Sequence, residues 1–263
     1  MPLRRESRYN LAMRVHRDDL ARMLDGWLSP ATFTDAAENG LQVEGKPDVE
    51  RVVCGVTASR ALLEAAIEVG ADAVIVHHGL VWSGGLRRLD GWLGARVRLL
   101  FKADVSLFAY HLPLDAHGEL GNNAELARAL GVEQTRPFGR YQGQLIGVAG
   151  VLREPVSAAA FLERVAAKVG PVHPASRVVN DVRSVGICSG GAASMLYDAV
   201  SERLDVFLTG EPAEWSHAVS AETGVGFVAA GHHATERFGP KALAARLCAQ
   251  GLDARFIDVE NAA

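Results

Sequence analysis

Apolar and polar positions along the chain follow two rhythms. Short apolar runs of strand length cover 49–56, 73–76, 105–110, 145–152, 185–188, 206–208, 226–230 and 254–259. Between them lie stretches with apolar residues at helical spacing: 17–29, 59–69, 90–103, 124–130, 158–169, 194–203, 213–222 and 240–250. Gly70 and Gly131 follow two of these stretches as helix-ending residues do. Strands alternating with helices predict an α/β protein with mostly parallel sheets and right-handed crossovers. The polar stretch 133–144, with Pro137 and two glycines, reads as a connection between two sets of elements. The segment 80–86 reads as a loop carrying an exposed Trp82.

The two sets echo each other. VVCGVTASRALLEAAIEVGADAVIVHHG (52–79) and GICSGGAASMLYDAVSERLDVFLTGE (186–211) both run strand, cysteine, turn, alanine-rich helix, aspartate, apolar strand and glycine. FAYHLPLD (108–115) and AAGHHATE (229–236) then each close a strand and give a histidine with an acid four residues on. Any two βαβ units share the first pattern. The matched histidine and acid are not required by it, so two related α/β domains are expected.

Composition narrows the field. Apolar residues make up 49 % of the 263 and charged residues 22 %, as in ordinary globular proteins. A net charge of −4 offers no basic field to nucleic acid or an anionic membrane. No apolar run reaches the ~18 residues of a membrane span. The basic N-terminal segment lacks an apolar core and reads as a short disordered lead before the first helix. Cys54, Cys188 and Cys248 form no C-x-x-C and sit among apolar residues, so buried thiols in a reducing cytosol are expected.

The chemistry gathers where apolar runs end. Val76 is followed by His77-His78-Gly79, and the runs ending near 110 and 230 lead to His111 and His232. Carboxyl ends of parallel strands are where open α/β sheets place ligands. Asp115 and Glu236 fall on the same face as His111 and His232 if the chain turns helical there. Imidazoles and carboxylates without thiolate suit Zn, Fe, Mn, Co or Ni. Adjacent strand residues point to opposite sides, so His77 and His78 are expected to serve one ion each. Glu236 or Asp115 would bridge, and two ions at ~3.5–4 Å would activate a water and clamp an oxyanion. Six candidates also exceed the four ligands of a usual zinc site. His233 reads as an outer hydrogen-bond donor or helix-start residue, His117 as a solvated loop residue, and His16 and His173 as surface residues. His217 reads as a helix histidine near the site or merely satisfied. The 186–191 turn lacks a full phosphate-binding glycine pattern and is not a G-x-S-x-G elbow.

HHGLVWSG (77–84), AYHLPLDAHGELGNNAELARALG (109–131), LTGE (208–211) and GHHATERFG (231–239) together resemble the GTP cyclohydrolase 1 type 2 homologues, also called Nif-three-like dinuclear metal-centre proteins. The resemblance covers most of the chain in the expected order. It implies two interlinked α/β domains of the Nif-three-like fold, without an inserted third domain. The division expected is 1–135 and 136–263, with about 226–263 packing back on the first domain. It implies a toroidal homohexamer with metal pairs facing an internal cavity, and a cytoplasmic protein. The family's ligands fall on His77, His78, Asp115, His232 and Glu236, and His111 matches a histidine that contributes in the short forms. One departure is Leu80-Val81-Trp82, where many members carry a proline-led segment. The implied activity is metal-dependent hydrolysis of a small nucleotide-like substrate, GTP by family name, with Glu236 and His232 handling protons. The competing expectation is a metal-binding, metal-delivery or regulatory hexamer without turnover.

Overall fold

The computed structural model describes residues 13–84 and 88–263. The expected lead and the end of the 80–86 loop therefore fall partly outside the described residues. In chain order the elements are β1 (Val15–His16), α1 (Arg17–Leu28), β2 (Gly40–Val43), β3 (Asp48–Val49), β4 (Arg51–Thr57), α2 (Arg60–Glu68), β5 (Ala73–His78), α3 (Gly91–Ala103) and β6 (Ser106–Ala109). Then follow α4 (Leu112–Ala116), α5 (Asn122–Leu130), β7 (Val132–Tyr141), β8 (Gln144–Val156), α6 (Ala158–Lys168), β9 (Val182–Ile187), α7 (Leu196–Ser201) and β10 (Val206–Thr209). The chain finishes with α8 (Ser216–Thr223), β11 (Gly226–Ala229), α9 (His232–Thr235), α10 (Phe238–Ala249) and β12 (Asp253–Phe256).

Two five-stranded sheets organise these elements, in the orders β12-β4-β5-β6-β2 and β11-β10-β9-β8-β7. In the first, β12, β4, β5 and β6 run parallel and β2 closes the edge antiparallel. In the second, β9, β10 and β11 run parallel, while β8 and β7 add an antiparallel edge. Apolar residues on both faces of β4, β5, β10 and β11 explain why these strands read as nearly continuous apolar runs. The stretch 133–144 is not a linker. Most of it is β7, whose positions 133–137 are exposed, and a hairpin turn into β8. An edge strand with one solvated face carries too few apolar residues to register as a strand.

The halves are interlinked. Helix α5, from the N-terminal half, buries Leu126, Ala127 and Leu130 with the second sheet. Helix α10 buries Leu243, Ala244 and Leu247 with the first sheet, and β12 pairs with β4. Each half also repeats one device. The buried Asp72, just before β5, accepts backbone N–H bonds from Glu50 (2.7 Å) and Arg51 (2.8 Å) at the start of β4. Asp205, just before β10, accepts from Arg183 (3.0 Å) and Ser184 (2.7 Å) at the start of β9. The aspartate shared by the two sequence echoes therefore ties neighbouring parallel strands in both sheets.

Helix starts follow local chemistry. Ser59 and Ser157 cap α2 and α6 by accepting from Leu62 and Ala160 N–H groups. His16 is not merely a surface residue; its ring accepts from the Asp18 N–H and caps α1. Cys54 and Cys188 are buried as expected, but Cys248 is exposed on the outer face of α10.

Candidate metal centre

The strand that carries the opening histidines ends at the top of the first sheet. Strand β5 runs through His78, pairing with Thr57 on β4, but its partner β6 stops opposite Val76. His77 and His78 thus stand beyond the sheet edge on one side. Their ring centroids come within 4.6 Å, closer than simple alternation suggests. Alternation still separates their neighbours. His77 groups with Asp115 and Glu236, and His78 with His232 and Glu236. A third group joins His77, His78 and His111. Within each group the ligating atoms lie within 4.8 Å of one another.

The other members arrive from the equivalent ends of both sheets. His111 follows β6 and Asp115 lies on the short helix α4. His232 opens α9 after β11, and Glu236 closes it. His232 Nε2 is 3.1 Å from Glu236 Oε1 across one turn, the i and i+4 relation expected. His77 Nε2 lies 3.5 Å from both Asp115 Oδ2 and Glu236 Oε1, and His78 Nε2 is 3.3 Å from Glu236 Oε2. The structure brings together all six residues singled out from the sequence. His77, Asp115 and Glu236 are buried, while His78, His111 and His232 are half-buried.

Each imidazole is held from behind. His77 Nδ1 donates to the Tyr110 carbonyl at 3.0 Å. His78 Nδ1 pairs with the Thr57 hydroxyl at 3.2 Å. His111 Nδ1 donates to Asp35 Oδ1 at 2.8 Å, and His232 Nδ1 to Glu211 Oε1 at 2.8 Å. With Nδ1 engaged, each ring is left to present Nε2 to the cluster. Asp115 Oδ1 is fixed by Asn122 Nδ2 (2.9 Å) and the Ser189 hydroxyl (3.1 Å). A side chain at Gly190, whose φ is +67°, would collide with Glu236 Oε1, so glycine there lets the carboxylate reach the cluster. Sequence reading missed Asp35, Thr57, Asn122, Ser189 and the role of Gly190. Of these partners, Glu211, inside the LTGE motif, and Asn122, inside the 109–131 motif, carried a signal in the sequence.

The charges are set by these neighbours. Burial pulls the His77 imidazole down, but Asp115 and Glu236 outweigh it and raise its pKa to about 9. Burial and the adjacent His77 lower His78 to about 3. The hydrogen bond to Glu236 dominates at His232 and raises it to about 9. Burial would raise Glu236, yet its position among His77, His78 and His232 holds it well below the usual carboxylate range. Asp115 is raised, because burial and the nearby Glu236 charge win over His77. One carboxylate stays ionised among imidazoles while the other is penalised beside it.

Two buried polar atoms of the cluster, His77 Nε2 and Glu236 Oε2, have no hydrogen-bond partner. Buried polar atoms are normally satisfied, and each orphan costs about 1–3 kcal/mol. Both face the centre of an all-N/O donor set. The residues therefore fit divalent cations, and the two carboxylate-bearing groups, which share Glu236, are suited to a pair of them.

Other expected positions fall elsewhere. His117 is half-buried rather than solvated, and its Nδ1 accepts from Glu119 and Leu120 N–H groups in the turn before α5. His217 is exposed on α8. His173 is exposed, and its ring accepts from the Ala175 N–H. His233 is the second residue of α9, and its Nε2 pairs with Asp258 at 3.0 Å. Trp82 is not an exposed loop residue. Its indole N–H donates to the Gly79 carbonyl, and the ring stands 5.2 Å from His111 and 6.0 Å from His78.

A two-sheet, interlinked α/β protein with a buried histidine–carboxylate centre of dinuclear type is the class these features define. Residues 15–262 match the model of the family described as Duf34/NIF3 (NGG1p interacting factor 3), and the chain belongs to that family. It is 41 % identical over 249 residues to a GTP cyclohydrolase 1 type 2 homolog of Pasteurella multocida, covering 93 % of this chain and 98 % of that one. A protein of the same name from Allochromatium vinosum is 44 % identical over 247 residues, 93 % of this chain and 96 % of that one. Among solved structures, the ybgI protein, described as of unknown function, superposes with a TM-score of 0.88 at 39 % identity, covering 95 % of this chain and all of that one. TTHA1606 from Thermus thermophilus superposes with a TM-score of 0.80 at 36 % identity and the same coverage.

Proposed function

We propose that this chain is a metal-dependent hydrolase acting on a small, nucleotide-like substrate. The observation that carries the reading is room beside the centre. A cavity of about 290 Å³ is lined by His78, His111, Asp115, His232 and Glu236 together with Trp82 and Tyr141. A second, of about 300 Å³, borders His78, His232 and Glu236 from the side of Thr57. A closed structural cage would leave no such space.

In this reading His77, Asp115 and Glu236 would hold one ion, and His78, His232 and Glu236 the other, with His111 completing the set. Such a pair supplies Lewis acidity for water activation and for charge developing on the substrate. The chain's residues do the rest. Asp35 and Glu211 fix the rings of His111 and His232, and Asn122 and Ser189 fix Asp115. Glu236 would serve both ions, and His232, with Nε2 given to an ion, would handle a proton only at Nδ1, where it is hydrogen-bonded to Glu211. The GTP named for the relatives is the first substrate to test. Cytoplasmic residence and a toroidal homohexamer belong to the same proposal, as does a division near residue 135; among the described residues no helix is long and apolar enough to cross a membrane.

The test combines elemental analysis with a nucleotide screen of metal-reconstituted protein. Two ions per chain with turnover that Glu236→Gln abolishes support the reading. Two ions without turnover on any nucleotide favour metal delivery instead, for which the 28 % exposure of the His232 side chain gives an exit route.

A further inference from the structure

Residues 29–39 link α1 to β2 and pass beside the metal centre. Phe33 packs on the core of the second half, around Phe138 and Ile146. The Ala36 carbonyl accepts from the Ser83 N–H, and Ala37 forms a bridge with Trp82. Between these anchors sit Thr34 and Asp35. The Asp35 side chain, 3 % exposed, accepts from His111 Nδ1 and from the Leu112 N–H (2.9 Å), the Ala37 N–H (3.0 Å) and Asn39 Nδ2 (3.0 Å).

The adjoining Thr34 is gripped from the other half of the molecule. Gln144, the first residue of β8, accepts the Thr34 N–H through Oε1 at 2.9 Å and donates through Nε2 to the Thr34 carbonyl at 2.9 Å. The two residues are 110 positions apart in the chain. A side-chain amide here makes the two-bond pairing that a neighbouring strand would make. The hairpin does not need it, since β7 and β8 close through their own pairs at Arg140 with Leu145 and Tyr141 with Gln144.

We propose that Gln144 is a positioning residue of the metal centre, locking Thr34 so that Asp35 holds the His111 ring toward the ions. The inference rests on His111 being a ligand. Fixing a ring that would otherwise rotate lowers the entropy lost on metal binding, and partners behind a ligand typically carry 10–100-fold in affinity.

Cobalt(II) titration of the full chain tests it, read by affinity and by the visible absorption of the bound ions. Asp35→Asn should weaken the more weakly held cobalt about 10–100-fold and alter its spectrum. Gln144→Ala should give the same spectral change with roughly 10-fold weaker binding. Gln144→Asn, which keeps the amide but shortens its reach, should behave like Gln144→Ala. The double variant Gln144→Ala with Asp35→Asn should bind no more weakly than Asp35→Asn, because the two act through one ring. The neighbouring Leu145→Ala should match wild type. Wild-type affinity and spectrum in both Gln144 variants, or losses that multiply in the double variant, would overturn the proposal. His111→Ala separates the two layers of the inference. Two cobalt ions held there at wild-type affinity overturn the ligand reading and the proposal with it; loss of an ion there beside unaffected Gln144 variants overturns the positioning role alone.

Discussion

At the scale of single residues, the centre is built from side chains that would each be costly alone. His77, Asp115 and Glu236 are buried, and two of their atoms lack partners. Their proximity is explained if cations complete the set. Glu236→Gln keeps the shape but removes the charge shared by both carboxylate-bearing groups, so metal content by elemental analysis should fall by at least one ion per chain. Unchanged content would reject Glu236 as the bridge. His117→Ala serves as the contrast. Its ring caps a turn outside the cluster, so both ions should remain. Gly190→Ala should lose metal as well as about 1–3 kcal/mol of stability, because a methyl group there meets the Glu236 carboxylate and the backbone is left-handed. A melt of the metal-free variant separates the two effects.

At the scale of elements, the paired aspartates are the sharpest feature. Asp72 accepts two backbone N–H groups and an ion pair from Lys46, and these hold its carboxyl below the ordinary range even though burial opposes them. A depressed folded pKa stabilises above the unfolded value of about 3.9 and is lost as pH falls through the lower folded value. Wild type should therefore lose this contribution only below about pH 4, while Asp72→Ala should be less stable by about 2–3 kcal/mol at neutral pH and show a flatter acid limb in denaturant melts. Asp205→Ala should cost a similar amount at neutral pH, since it leaves two strand N–H groups without their acceptor. A negligible cost there would mean the two tethers are alike in geometry only. The echo between 52–79 and 186–211 was readable as sequence because residue types repeat along each run; that its aspartate bonds N–H groups 21–22 residues earlier was not. Strand β7 was not, since its exposed face imitates a loop.

At the scale of the molecule, two sheets contribute opposite walls of one centre, and removing cations should loosen their contact. Chelation should lower the melting temperature, and adding back an ion at 100 times its dissociation constant should restore about 2.7 kcal/mol. Identical melts with and without chelator would argue against tight binding at the site.

The sequence alone determined the inner strands and every helix but the short α4 and α9, because amphipathic period and apolar runs are properties of neighbouring residues. It also singled out the six residues that the structure brings together, because histidines and acids at strand ends stand out against an apolar background. Only the tertiary structure decided which groups stand behind them. Asp35 lies 76 residues from His111, and Glu211 lies 21 from His232. It likewise decided that α5 crosses to the second sheet and that α10 and β12 return to the first. Such choices depend on which buried surfaces meet in space, and no periodicity along the chain records that.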